Sequence, residues 1–206
     1  MSDLESRLAA LESEVTDLRD REAIRDVLHR YCRGADRLDA EAMKSCYHED
    51  AYDTHWFSNG PAQEFSEWVI ADCLPAAHTT VHTLTNEIIE IEGDRAFVES
   101  HVHVLHEMAA PGDDPQKPFV HQLMECRYVD LFEKRDGQWK ISYRHVVVDN
   151  NLELRVPEMP VLIPESMGKR SKEDPAYAGF DLEKLRPADF RTNFFEVGIA
   201  QDIPAK

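Results

Sequence analysis

The hydrophobic pattern changes period once along the chain. Leu4, Leu8, Leu11, Val15 and Leu18 step by four and three, with Glu, Arg and Asp between them. That is a heptad seam, though a short one for a coiled coil. It predicts a helical leader over residues 1–19, packed on its own domain or paired with another subunit. So clean a seam favours the subunit contact. Ile24, Val27, Leu28 and Tyr31 give a second helix an apolar face that continues to Ala35. Asp39 is placed to cap a third helix through Ala42, Met43 and Cys46, ending near residues 48–50. Tyr52 to Phe57 reads as the first strand, and residues 58–61 as a turn by their chemistry. Phe65 to Cys73 reads as a helix stopped by Pro75.

From Thr80 the pattern is that of strands. Thr80 to Glu92 and Arg95 to Met108 form a hairpin around Gly93-Asp94. Residues 109–118 are a loop rich in Pro and Asp. His121 to Phe132 and Gln138 to Asn150 form a second hairpin around Arg135-Asp136-Gly137. Beyond Pro157 the chain is rich in Pro and charge and has no strong period, which predicts an arm that wraps the domain or a neighbour. Leu182 to Leu185 is at most a short helix. The expected organisation is a leader (1–19), one domain (20–150) and an extended C-terminal arm (151–206). Helices followed by hairpin-joined strands mean an α+β fold with helices on one face of the sheet. Such layers leave an apolar pocket between them.

Composition narrows the function classes. A net charge of −17 over 206 residues neutralises no phosphates and speaks against nucleic acid. It suits a neutral or aromatic small-molecule substrate better than an acidic one. No apolar run has membrane-spanning length, and the start, Met1-Ser2-Asp3-Leu4-Glu5, has no secretory character, so no membrane partner is expected. Cys32, Cys46, Cys73 and Cys126 show no CxxC spacing and read as reduced thiols of a cytoplasmic protein.

Three polar residues stand in otherwise apolar elements, where a buried polar group needs a partner. They are Asp36 at the end of the second helix, His82 in the first long strand and Arg144 in the last. They suggest an acid–base pocket that works without a cofactor. Histidine has its free pKa near working pH. A carboxylate on its second nitrogen fixes the tautomer and stabilises the imidazolium. Asp36 could instead pair with Arg33, Arg37 or Arg144 to close the fold.

His101-Val102-His103 with Glu107 has the spacing of half a cupin metal site. The flanking glycines and the second motif are missing, so the two histidines read as pocket-lining or solvated residues and no metal is expected. No glycine-rich phosphate loop or nucleophile elbow is present. Tyr47, Tyr52, Trp56, Phe57 and Trp68 supply either core packing or an apolar slot for a ring system.

The stretches Ala23-Ile24, Arg30-Tyr31, Asp36-Arg37-Leu38-Asp39, His82 with Asn86, Arg127-Tyr128-Val129-Asp130, Asp136 to Ile141 and Arg144 carry a family likeness. Over residues 20–150 they resemble the SnoaL-like branch of the nuclear-transport-factor-two-like superfamily. The likeness is closest to its cofactor-free lyases, such as bile acid 7α-dehydratase, scytalone dehydratase and hexachlorocyclohexane dehydrochlorinase. It implies a cone-shaped, curved mixed β-sheet packed against N-terminal helices, an α+β barrel with the pocket inside. It also implies an Asp–His dyad and a homo-oligomer, with a trimer favoured. By position Asp36 and His82 match the dyad, and Tyr31 and Arg144 match pocket residues. His55 falls where the bile acid enzyme carries a tyrosine.

The resulting expectation is a cofactor-independent lyase acting on a bulky hydroxylated aromatic or polycyclic compound. His82, oriented by Asp36, takes a proton; Arg144 and Tyr31 stabilise an oxyanion; His55 donates a proton. Loss of water is the default, and loss of formaldehyde is the variant for a phenolic substrate. Tyr52, Trp56, Phe57, Trp68, His101 and His103 would contact the substrate. The alternatives are an isomerase or cyclase of the same fold, or a non-catalytic subunit similar to the small subunit of ring-hydroxylating dioxygenases.

Overall fold

The computed structural model describes residues 3–108, 119–156 and 168–185. The expected loop at 109–118 and the arm residues Phe190, Phe194 and Phe195 lie outside the described residues.

The two expected N-terminal helices are one. Helix α1 runs unbroken from Asp3 to Asp36. Its seam residues Leu4, Leu8, Leu11, Val15 and Leu18 are all exposed, while Ile24, Val27, Leu28, Tyr31, Cys32 and Ala35 are buried. The helix ends in a Schellman motif. The Asp39 amide donates to the Gly34 carbonyl at 2.8 Å and the Leu38 amide to the Ala35 carbonyl at 3.4 Å, with Leu38 left-handed at φ 53°. A Cβ at Gly34 would stand 3.0 Å from the Met43 amide nitrogen, so only glycine lets the next helix approach this closely. That helix, α2 (Ala40–Lys44), is capped by Asp39, whose carboxylate accepts the Ala42 amide at 3.1 Å.

The strand region starts earlier than the pattern suggests. Strand β1 spans Tyr47–His55, and the expected turn at 58–61 is strand β2 (Ser58–Pro61), hairpin-paired to it. Helix α3 (Ala62–Trp68) widens into a π turn over Val69–Cys73 and a 3₁₀ turn over Leu74–Ala76. Four long strands follow: β3 (Ala77–Glu92), β4 (Arg95–Met108), β5 (Phe119–Arg135) and β6 (Gln138–Val156), the last extending beyond the expected boundary at 150. Both hairpin turns have the expected chemistry, with Gly93 at φ 60° and Asp136-Gly137 at φ 52° and 75°.

The sheet order is β2-β1-β6-β5-β4-β3, antiparallel except for the parallel β1–β6 pair. It is mixed and open, not a closed barrel, with β2 and β3 at its edges. Helix α1 meets the β3 edge. The backbone N–H of His82 donates to both carboxylate oxygens of Asp36 at 3.1 Å, and Arg21 donates to the Ile89 carbonyl at 2.7 Å. A bulge between Thr85 and Glu87, with Asn86 at φ 48°, interrupts the strand. The core joins α1, α2 and α3 to the inner residues of β4, β5 and β6, among them Val98, Val102, Tyr128, Phe132 and Ile141.

The described part of the arm folds back onto the end of α1. Arg37 pairs with Asp174 at 3.3 Å, and the Tyr177 hydroxyl and the Lys172 ammonium both meet Asp39. Arg170 donates to the carbonyls of Leu74 and Ala77.

Candidate active site

A cavity of about 280 Å³ opens between the helices and the inner face of the sheet. Its wall is mostly apolar, with Ala35, Met43, Phe65, Val69, Leu74, Val104, Met124 and Val146 among the lining residues. Tyr31, His55, His82, His106 and Gln122 bring polar groups to that wall. An apolar pocket with a few convergent polar groups is the usual form of a small-molecule site.

Asp36 and His82 meet at this wall. Asp36 Oδ1 lies 2.7 Å from Nδ1 of His82, and the same carboxylate holds the His82 amide. Both side chains are largely buried, at 15% and 10% exposed. With Nδ1 engaged, Nε2 is the nitrogen free for chemistry. A carboxylate bound to both the ring and the backbone of one residue leaves that ring little rotational freedom.

Tyr31 also lines the cavity, but its surroundings differ from expectation. Its ring lies edge-on to Tyr47 and Tyr128, at 5.9 and 5.6 Å. Burial pushes its phenol well above the ordinary range, so it is a neutral hydroxyl at any working pH.

Arg144 is not in the cavity wall. It is fully buried, and its Nε and Nη2 donate to the two oxygens of Asp130 at 2.8 and 2.6 Å. The guanidinium is sandwiched between Tyr31 and Tyr128, 4.1 and 3.9 Å from the ring centroids. Burial works against its charge, but the Asp130 carboxylate holds it ionised, with its pKa well above the usual value. The group expected to meet an oxyanion is instead the floor beneath Tyr31.

The other expected contacts divide cleanly. His55, Trp56 and Phe57 line the cavity, the last two being partly exposed at its rim. Tyr52 points away and stacks on Tyr143 at 6.4 Å. Trp68 packs beside Phe57 and Phe65 but is absent from the lining. His101 and His103 are on the wrong face. Ala96, Val98, Ser100, Val102 and Val104 are the buried series of β4, so the odd-numbered histidines face outward, and His103 pairs with Glu125. Glu107 pairs separately with His121 at 3.3 Å. Among the described residues, no group of three His, Cys, Asp or Glu is placed to hold a metal ion.

The inner series of β4 includes a residue that sequence reasoning missed. His106 follows Val102 and Val104 on the same face, opposite Gln122 of β5. The parity of the valines was the signal. Its ring is perpendicular to that of His82 at a centroid distance of 6.1 Å, and Thr80 Oγ1 is 3.4 Å from its Nδ1. Burial, together with nearby His82 and Arg170, lowers its pKa from 6.5 to about 4. It is therefore neutral at working pH and poor at holding a proton.

Stability should record this. In the unfolded chain His106 takes up a proton near its ordinary value, and in the folded chain only near 4. The unfolded state thus binds more protons between these limits, and stability falls as the pH drops through that window. The expected loss is on the order of 2–3 kcal/mol. Urea unfolding at several pH values, with His106→Gln flattening that slope, is the check.

The cysteines offer no nucleophile. All four are free thiols. Burial pushes Cys32 up to about 12 and Cys46 and Cys126 up to about 11, far from thiolate formation.

No helix among the described residues is long and apolar enough to cross a membrane. No curated protein matches the chain. Solved structures do. A hexachlorocyclohexane dehydrochlorinase of type 2 is 22% identical over 75% of this chain and 99% of that one, with a TM-score of 0.63. A candidate scytalone dehydratase from Novosphingobium aromaticivorans is 20% identical over 69% and 93%, with a TM-score of 0.58. A candidate aromatic ring hydroxylase from the same organism is 19% identical over 68% and 94%, with a TM-score of 0.57. At these identities the likeness is one of fold. The model of the SnoaL-like domain matches residues 16–145, well over half the sequence, and the chain belongs to that family.

Proposed function

We propose that this chain is a cofactor-independent lyase that eliminates water from a bulky hydroxylated aromatic or polycyclic compound, or formaldehyde when the substrate is phenolic. The observation that carries the reading is the 2.7 Å contact between Asp36 and His82 at the wall of an apolar cavity. His82 accepts the proton at Nε2, and Asp36 stabilises the imidazolium that forms. Tyr31 offers a neutral hydroxyl to an oxygen on the substrate. Trp56 and Phe57 at the rim suit a ring system. Two of the fold neighbours are named as a candidate dehydratase and a dehydrochlorinase, both names for eliminations, which is consistent with this reading.

The test is turnover of an aryl β-hydroxyketone by enzyme dialysed against a chelator. Formation of the conjugated enone, followed by absorbance, is the expected result. A product of unchanged mass would mean an isomerase, and activity restored only by an added metal would mean metal-assisted chemistry.

A further inference from the structure

A second imidazole opens on the same cavity, held in the same manner as the first. His55 lies at the end of β1, which β6, β5 and β4 separate from the β3 strand of His82. Its Nδ1 is hydrogen-bonded to Oδ1 of Asp53. Asp53 is fully buried, and its other oxygen accepts the Tyr47 hydroxyl at 2.5 Å. The His55 ring stacks on Phe65 of α3, with centroids 4.3 Å apart and planes 22° apart. One bond, to a carboxylate that Tyr47 holds in turn, and a stacked ring fix the imidazole, and with Nδ1 engaged its Nε2 is left for the cavity.

The surroundings are electrically simple. Tyr31 of α1 presents a neutral phenol, and Phe57 and Phe65 are apolar. The nearby Asp130 and Arg144, from β5 and β6, are paired and cancel one another. Asp53 is thus the only carboxylate bonded to His55 among the described residues.

We infer that His55 is the proton donor to the leaving group, that Asp53 and Tyr47 are the positioning residues that hold it, and that the group expelled is therefore an oxygen, hydroxyl or alkoxyl, and not a halide. The inference rests on the elimination reading above. Chloride leaves without a proton, so a halide site needs only a base. Hydroxide is a poor leaving group and needs a proton as its bond to carbon breaks.

The step balances. Nε2 of His82 takes the proton from carbon, and the C–H electron pair becomes the new double bond. The C–O bond breaks, and its oxygen takes the proton from Nε2 of the His55 imidazolium, whose other N–H stays on Asp53. Water departs. His82 ends protonated and His55 neutral, and solvent returns the proton from one to the other. No oxidant or reductant is required.

Two probes that give one product test this: an aryl β-hydroxyketone and the matching β-chloroketone, both yielding the same enone. In His55→Gln the ratio of hydroxyketone to chloroketone kcat/KM is expected to fall by about 10²–10³. Asp53→Asn should lower that ratio by about tenfold. Tyr47→Phe is the milder variant should Asp53→Asn fold poorly, and it should shift the ratio in the same direction. Independently of turnover, nitrogen-15 spectra of the histidines should show the proton on Nδ1 of His55 in the parent and a changed His55 signal in Asp53→Asn. Equal losses on both leaving groups, or an unchanged His55 spectrum in Asp53→Asn, overturn the inference. If His82→Ala abolishes both reactions while His55→Gln leaves the ratio alone, the elimination reading stands and this one falls.

Discussion

Replacing His82 with alanine is expected to lower kcat by about 10²–10⁴, the range for removing a general base. The ring is fixed by the Asp36 carboxylate, which binds both its Nδ1 and its own backbone amide. Removing the imidazole leaves that backbone bond in place, so the strand stays anchored while the base is lost. Single-turnover measurements on the β-hydroxyketone separate the chemical step from binding. Turnover that survives the change would shift the base to His55, since the Tyr31 phenol is held neutral by burial. His106, held neutral with its pKa near 4, is a weak substitute.

Cutting the Arg144–Asp130 pair is expected to destabilise the fold by about 3–5 kcal/mol, because either single change strands a buried charge. Both side chains are fully buried, and two hydrogen bonds join them. Arg144→Met or Asp130→Leu alone should lower the urea midpoint sharply. The double change to Met and Leu should recover much of the loss, since an apolar pair of similar volume is often close to neutral. Equilibrium unfolding of the three variants is the measurement. A small effect in the single variants would mean that water reaches the pair.

How far the sequence could be read follows from what each feature depends on. The long strands, their turns and the α+β order rest on local periodicity, and they appear in the expected places, with three of the four strands longer than the pattern suggests. The join between the first two helices was illegible because the apolar face breaks between Leu18 and Ile24. The intervening residues have no Gly or Pro and good helix propensity, so the helix simply continues. The environment of Arg144 needed more than period. A regular hairpin around Asp136-Gly137 pairs Phe132 with Ile141 and would set Tyr143 opposite Asp130. A bulge after that pair shifts the register by one and puts Arg144 opposite Asp130. His101 and His103 stood out as a motif, yet the valines beside them carried the information, since burial of the even positions fixes which face is inside. Asp53 gave no signal of its own, because its partners Tyr47 and His55 lie on the same strand and only folding brings all three to one point.

The β3 edge carries a consequence for handling the protein. A strand with one unpaired side is a template onto which another molecule's strand can add. Here the exposed side is occupied: Asp36 takes the His82 amide, Arg21 takes the Ile89 carbonyl and the bulge at Asn86 breaks the line. The carboxylate proposed to orient the base is thus also a guard against self-association. Asp36→Ala would lose both roles together, and clumping of the sample could pass for lost activity. Asp36→Asn keeps an acceptor for the amide and leaves the edge closed.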